Sequence, residues 1–262
     1  MAAYPMPRER TLILASLLVL ALAGWALLLW QAAMGAEHQM GLTMGLSAPL
    51  FLATWVVMMV AMMFPAAAPM ILVFARISAG RRQRGQAFVP TWVFVGAYLL
   101  VWTLFGALAY GLATGAQALA EHSAWAPWLL EHAPRLGGAV LVLAGLYQLS
   151  PLKRACLARC RSPLDFLLGS WRDGYAGAFR LGLEHGAYCL GCCWLLFVIL
   201  FPLGVMNVAA MALLTLLIFA EKSLPLGERV SQLAALVLIG YGVLVVLVPA
   251  ALPTALPHEP AM

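Results

Sequence analysis

Long apolar runs set the strongest limit on what this chain can fold into. A helix needs about 20 apolar residues to cross a bilayer. The candidate runs are Leu12–Ala33, Ala48–Phe74, Ala87–Gly111, Leu136–Leu149, Tyr175–Phe201, Val205–Ala220 and Val230–Ala250. They are continuous rather than alternating, and lipid offers no partners to unpaired backbone groups. We therefore predict an all-α, polytopic membrane helix bundle with about seven transmembrane helices.

Composition excludes a water-soluble body of this size. The chain is 64% hydrophobic and only 10% charged, whereas soluble domains are usually about 25% charged. We expect residues 1–262 to form a single integral membrane domain, with a short cytoplasmic N-terminus (1–10) and a Pro-rich C-terminal tail (252–262). The first apolar run is too long for a signal peptide, and no small-residue cleavage site follows it, so we expect it to be retained.

Basic residues cluster in alternate loops. Arginine and lysine occur in 8–10, 76–84 and 153–172, whereas 34–47 and 112–134 contain neither. Because cytoplasmic loops carry the excess of basic residues, we expect the N-terminus inside and the C-terminus outside a bacterial inner (cytoplasmic) membrane. The net charge of +5 thus indicates membrane topology and a lipid partner rather than nucleic acid.

One apolar run contains a stripe of metal-binding side chains. His185, Cys189 and Cys192 are spaced i, i+4 and i+7, and so share one helical face. Cys193 lies about 80° from His185 on the same helix. Thiols and imidazole are the donors that copper and zinc prefer. Cysteine also packs as a small hydrophobe, but an ionisable histidine in an apolar layer is usually functional, so we favour a ligand set.

Glu221 is a further candidate at this site. If the chain turns near 202–204 into an antiparallel hairpin, Glu221 reaches the depth of His185. Its carboxylate could then accept a hydrogen bond from the imidazole or bind the metal itself. The alternative is a salt bridge to Lys222 or Arg180.

Sulfur atoms elsewhere in the chain add weaker candidates. Met62 and Met63 lie in the second run, and thioethers suit Cu(I), although methionine often only fills gaps. Cys156 and Cys160 form a C-x3-C pair in a basic cytoplasmic loop, able to hold a metal or to act as a redox pair. A soft-metal capture site in the first external loop would use Met34, His38, Met40 and Met44.

Several motifs resemble those of a bacterial family catalogued as domain of unknown function 2182 and described as predicted metal-binding integral membrane proteins. The motifs are Glu184-His185-Gly186-x-x-Cys189-x-Gly191-Cys192-Cys193-Trp194, Gly204-Val205-Met206-Asn207, Glu221-Lys222, Tyr147-Gln148-Leu149-Ser150-Pro151-Leu152-Lys153-x-x-Cys156-x-x-x-Cys160 and Ala61-Met62-Met63-x-Pro65. The resemblance runs from about the second span to the sixth. It implies a metal-binding membrane protein.

These observations favour a membrane protein that binds a transition metal within its helix bundle for transport, delivery or sensing. Copper as Cu(I) is the first candidate ion and zinc the second, with a metal-donor or metal-acceptor protein as the expected partner. An enzyme is less favoured, because the chain has no P-loop, nucleophile elbow or His-Glu-x-x-His motif. The alternatives are a membrane thiol/disulfide oxidoreductase and a structural subunit of a larger membrane assembly.

Overall fold

The computed structural model describes residues 7–34, 43–85, 89–122 and 126–255. All regular elements within these ranges are helical, which confirms the all-α prediction. The helices are α1 (Pro7–Met34), α2 (Ala48–Gln83), α3 (Thr91–His122), α4 (Ala126–Gln148), α5 (Pro151–Arg161), α6 (Pro163–Ser170), α7 (Gly174–Val198), α8 (Leu200–Leu203), α9 (Val208–Ser223) and α10 (Gly227–Leu247). Two single 3-10 turns follow α10.

Five of the described helical segments are long and apolar enough to cross a membrane, rather than the expected seven. They are Arg8–Met34, Ala48–Gln83, Thr91–Leu119, Gly174–Leu203 and Gly227–Leu247. A sixth crossing is possible if α4 and α5 together form one span. That span would be broken, because the two helix axes differ by 62°. Helix α9 has 16 residues and so extends about 24 Å, less than a hydrocarbon core of about 30 Å. The number seven and the orientation are therefore not confirmed.

Capping residues begin helices α5 and α9. Ser150 caps α5, its hydroxyl accepting a hydrogen bond from the Lys153 backbone N–H at 3.1 Å, and Pro151 occupies the first turn. Proline is preferred there because its missing N–H would have no helical partner. Asn207 caps α9 in the same way, accepting from the Ala210 N–H at 3.1 Å. These caps begin two of the helices that bring side chains from outside α7 to the site.

Glycines allow α7 and α3 to approach closely. A methyl group added at Gly182 would lie 2.4 Å from the Phe94 carbonyl oxygen, and one at Gly186 would lie 2.8 Å from Val101. Small residues at such crossings let backbones pack against each other within a membrane. This close contact brings the side chains of α3 over the stripe predicted on α7.

The outer surface of the bundle is apolar. Leucines are more than half exposed on α1 (Leu22), α3 (Leu104), α9 (Leu213) and α10 (Leu236). Water-soluble proteins rarely expose extended apolar surface, whereas a lipid-facing surface requires it. The exterior therefore suits the interior of a bilayer, and the polar contacts described below lie between the helices.

Candidate metal centre

The stripe predicted on α7 is helical and buried. His185, Cys189, Cys192 and Cys193 are each exposed by 3% or less. The thiols of Cys192 and Cys193 both donate to the Cys189 carbonyl oxygen, at 3.1 and 2.7 Å, and their sulfur atoms lie 3.5 Å apart. The local helix geometry thus gathers three thiols into one compact group within the core.

Two other helices bring polar groups to Cys189. The Tyr98 hydroxyl of α3 lies 3.2 Å from the Cys189 sulfur. From α9, the Lys222 ammonium donates to the same sulfur at 2.9 Å and lies 3.8 Å from that of Cys193. Sequence reasoning considered Lys222 only as a partner for Glu221. The signal available was a lysine at the end of an apolar run, where a charge needs a partner.

His185 lies among aromatic rings and keeps a nitrogen free. Its ring stacks on Phe94 and Tyr98, at centroid distances of 5.8 and 5.3 Å, and Phe166 tilts against it at 5.9 Å. Its Nε2 is buried and has no hydrogen-bond partner in the described part of the chain. A buried polar atom without a partner calls for a ligand or another explanation, and an imidazole nitrogen is a metal donor.

Cys156 and Cys160 lie on a helix rather than in the expected loop, because Ser150 and Pro151 start α5. Helix α5 packs against α7. A methyl group at Gly191 would lie 2.8 Å from the Cys156 sulfur, and Cys160 packs against the buried core that contains the α7 cysteines. Both cysteines of α5 are half-buried. The packing of α5 on α7 thus brings all five cysteines into one region.

Glu221 is buried, but contrary to the expectation its carboxylate does not contact His185. Its carboxylate accepts a hydrogen bond from the Gln148 amide at 2.9 Å and pairs with the Lys153 ammonium at 2.7 Å. Lys153 also donates to the Gln148 side chain. Glu221 therefore forms a salt bridge, but with Lys153 rather than with Lys222 or Arg180.

The partners named for that salt bridge are engaged elsewhere. Arg180 pairs with Glu184 one helical turn along α7, at 2.9 Å, and Lys222 reaches the thiols. The physical reason lies in α9, where consecutive side chains point about 100° apart. Glu221 consequently faces the α4–α5 junction, while Lys222 faces α7.

The methionine candidates have different environments. Met62 and Met63 of α2 are completely buried, in the same apolar core as the α7 cysteines. Met34 is exposed at the end of α1 and Met44 is buried. His38 and Met40, the other two candidates of this group, lie outside the described residues.

The donors fit a soft ion in chemistry. No three His, Cys, Asp or Glu side chains within the described ranges are arranged to hold a metal ion. Soft thiolates and thioethers, however, are the ligands that select Cu(I). The α7 thiols and the unpartnered His185 nitrogen provide that chemistry within one helix.

Fold and site together define an all-helical protein with an apolar exterior, several helices of membrane-crossing length and a buried cluster of soft donors. A family model described as copper chaperone, PpoB2, matches residues 52–245, and the chain belongs to this family. The match includes every donor discussed on α2, α5, α7 and α9. It agrees with the metal-related character implied by the motifs, although the designation as domain of unknown function 2182 is not confirmed. No curated protein and no solved structure matches the chain.

Proposed function

We propose that this chain is an integral membrane copper chaperone that carries Cu(I) as its cargo between the helices. The observation that carries this proposal is the buried thiol group of α7, formed by Cys189, Cys192 and Cys193 beside the unpartnered Nε2 of His185. Membership of a family described as copper chaperone supports copper over zinc, which is the second candidate.

In this proposal two of the three α7 thiols bind the ion as thiolates, and His185 adds a neutral donor. Met62 and Met63 are further candidate donors, from α2. Cys156 and Cys160, being half-buried on α5, would pass copper between the α7 thiols and a partner protein that donates or accepts the metal. Glu221 has its carboxylate engaged by Gln148 and Lys153, so its proposed role is to hold α5 in place.

Loading must be coupled to loss of thiol protons. Thiolate is the form that binds metal, and an uncompensated thiolate in an apolar layer is costly. Ionisation and metal binding therefore proceed together. The neighbouring Tyr98 hydroxyl and Lys222 ammonium are both placed to stabilise negative charge on the Cys189 sulfur.

The test is metal analysis of protein purified anaerobically in detergent, with and without a thiol reductant. Wild type should carry about one copper per chain under reducing conditions, whereas the Cys189→Ser/Cys192→Ser variant should lose most of it. Helical circular dichroism and gel filtration would confirm that the variant is folded.

Two other outcomes would reject the proposal. Full copper content in the folded double variant would mean that the cysteines serve packing, as in a structural subunit. Metal-free wild type with a reversible disulfide would favour the thiol oxidoreductase. A bridge between adjacent Cys192 and Cys193 would be strained, so that outcome would point to a disulfide involving Cys156 or Cys160.

A further inference from the structure

We infer that Lys222 determines which charge of metal ion the site accepts: its ammonium selects a monovalent soft ion, such as Cu(I), over a divalent one. This inference rests on the proposed function and adds a specificity-determining residue to it. The residue lies outside the donor set, on α9, and touches the ligands rather than the ion.

The ammonium of Lys222 lies beside two thiols of α7. Lys222 Nζ lies 2.9 Å from the Cys189 sulfur and 3.8 Å from the Cys193 sulfur. These two thiols are one helical turn apart on α7, so the ammonium lies across the pair. None of the ion pairs found between described residues involves Lys222. Its nearest polar partners are sulfur atoms.

The carboxylate of Glu221, the residue before Lys222, is already neutralised. Glu221 is paired with Lys153 and bonded to Gln148. Arg161 also clamps this end of α9, donating to the backbone carbonyl oxygens of Glu221 at 2.6 Å and Leu224 at 2.8 Å. The C-terminal end of α9 is thereby tied to α5, which sets where the Lys222 side chain can reach.

The net charge of the site after metal binding depends on the charge of the ion. A Cu(I) ion bound by two of the three α7 thiols as thiolates, with the third thiol still protonated, has one excess negative charge, and neutral donors such as His185 or methionine do not change it. A net charge between helices is expensive, since its hydration is lost. The Lys222 ammonium brings the total to zero. With Zn(II), two thiolates are already neutral, so the ammonium would leave one uncompensated positive charge.

The test compares monovalent with divalent ions that all bind thiolates. Affinities for Cu(I), Ag(I), Zn(II) and Cd(II) are measured by chelator competition on the full-length protein in detergent, without oxygen. Lys222→Met removes the charge and keeps much of the side-chain length, while Lys222→Arg keeps the charge. Arg180→Met is the matched control, because it also removes one positive charge from the chain but at an exposed position paired with Glu184.

Lys222→Met should lower the affinity for Cu(I) and Ag(I) by about 10–100-fold, as for other partners that surround metal ligands. Its affinities for Zn(II) and Cd(II) should be unchanged or higher. Lys222→Arg should retain most of the monovalent preference, and Arg180→Met should match wild type. If the methionine variant does not fold, Lys222→Gln makes the same comparison.

The outcomes separate this inference from the proposed function. Wild type that binds no Cu(I) would reject both. Wild type that binds Cu(I), with an unchanged ratio of Cu(I) to Zn(II) affinity in Lys222→Met, would overturn the inference alone. Equal losses for monovalent and divalent ions would also overturn it, because they would indicate a structural role for the lysine.

Discussion

At the scale of residues, the neighbours Glu221 and Lys222 have separate tasks. The helical period directs one towards the α4–α5 junction and the other towards α7. Glu221 ends in a buried ion pair with Lys153, whose side chain is fully buried. Lys222 ends at the thiols of Cys189 and Cys193. One buried charge thus supports the fold, and the other lies beside the candidate metal ligands.

Glu221→Gln should therefore reduce stability rather than metal selectivity. The substitution leaves the Lys153 ammonium buried without a counter-charge, and breaking such a pair costs about 3–5 kcal/mol. Thermal unfolding in detergent, followed by circular dichroism, should show a lower Tm. The Lys153→Met/Glu221→Gln variant should recover much of the loss, since both charges are then absent. Normal stability with lost copper binding would instead assign Glu221 to the metal.

At the scale of elements, the break between α4 and α5 shapes the site. The chain bends by 62° there, and Ser150 with Pro151 begins α5 in its new direction. Helix α5 then lies on α7, with Cys156 against Gly191. The C-x3-C pair is thereby placed at the edge of the α7 thiols. An unbroken helix would have continued along the axis of α4, away from this contact.

The two thiol environments, on α5 and on α7, should differ in reactivity. In metal-free, reduced protein, Cys156 and Cys160 should be alkylated faster than the three cysteines of α7, because the α5 thiols are half-buried and the α7 thiols fully buried. Mass spectrometry of digested protein would assign the modified sites. Added Cu(I) should slow the reaction of Cys156 and Cys160 if they share the copper pathway. In the Cys189→Ser/Cys192→Ser variant that protection should weaken, and equal rates for all five wild-type cysteines would contradict the packing.

At the scale of the whole molecule, apolar residues form both the core and the exterior. The core contains fully buried side chains such as Trp55, Trp102 and Phe197, while leucines cover the outside of α1, α3, α9 and α10. Packing between helices buries the core, and the lipid tails of a bilayer would contact the apolar exterior. Within the described residues five segments can cross, or six with the broken α4–α5 pair. The parity of that number decides on which side of the membrane the C-terminus lies.

Reporter fusions would establish the topology. Fusions ending after Gln83 and after Glu121 should report the cytoplasm and the exterior, respectively, because basic residues mark the cytoplasmic loops. A fusion after Met262 should report the exterior for five or seven crossings and the cytoplasm for six. A cytoplasmic signal after Glu121 would overturn the predicted orientation.

The sequence by itself determined the helical class and the donor stripe of α7. Apolar runs of sufficient length leave helices as the solution in lipid, and the spacing of His185, Cys189 and Cys192 is a property of one helix. Burial of the whole stripe agrees with these local rules. The predicted number of crossings is not confirmed, because it counts the runs Leu136–Leu149 and Val205–Ala220, which are shorter than the roughly 20 residues that a crossing needs.

Only the tertiary structure decided which charges meet which donors. Lys222 and Cys189 are 33 residues apart in the chain, and Lys153 and Glu221 are 68 apart. Such contacts depend on how the helices cross and rotate about their axes. Glycines such as Gly182 and Gly186 permit the close crossing, but sequence spacing does not encode the rotation. An antiparallel hairpin that turns near 202–204 predicts the depth of Glu221 in the bundle. It does not predict the direction in which the side chain points. Helix packing turned the carboxylate towards Lys153 and the ammonium towards the thiols.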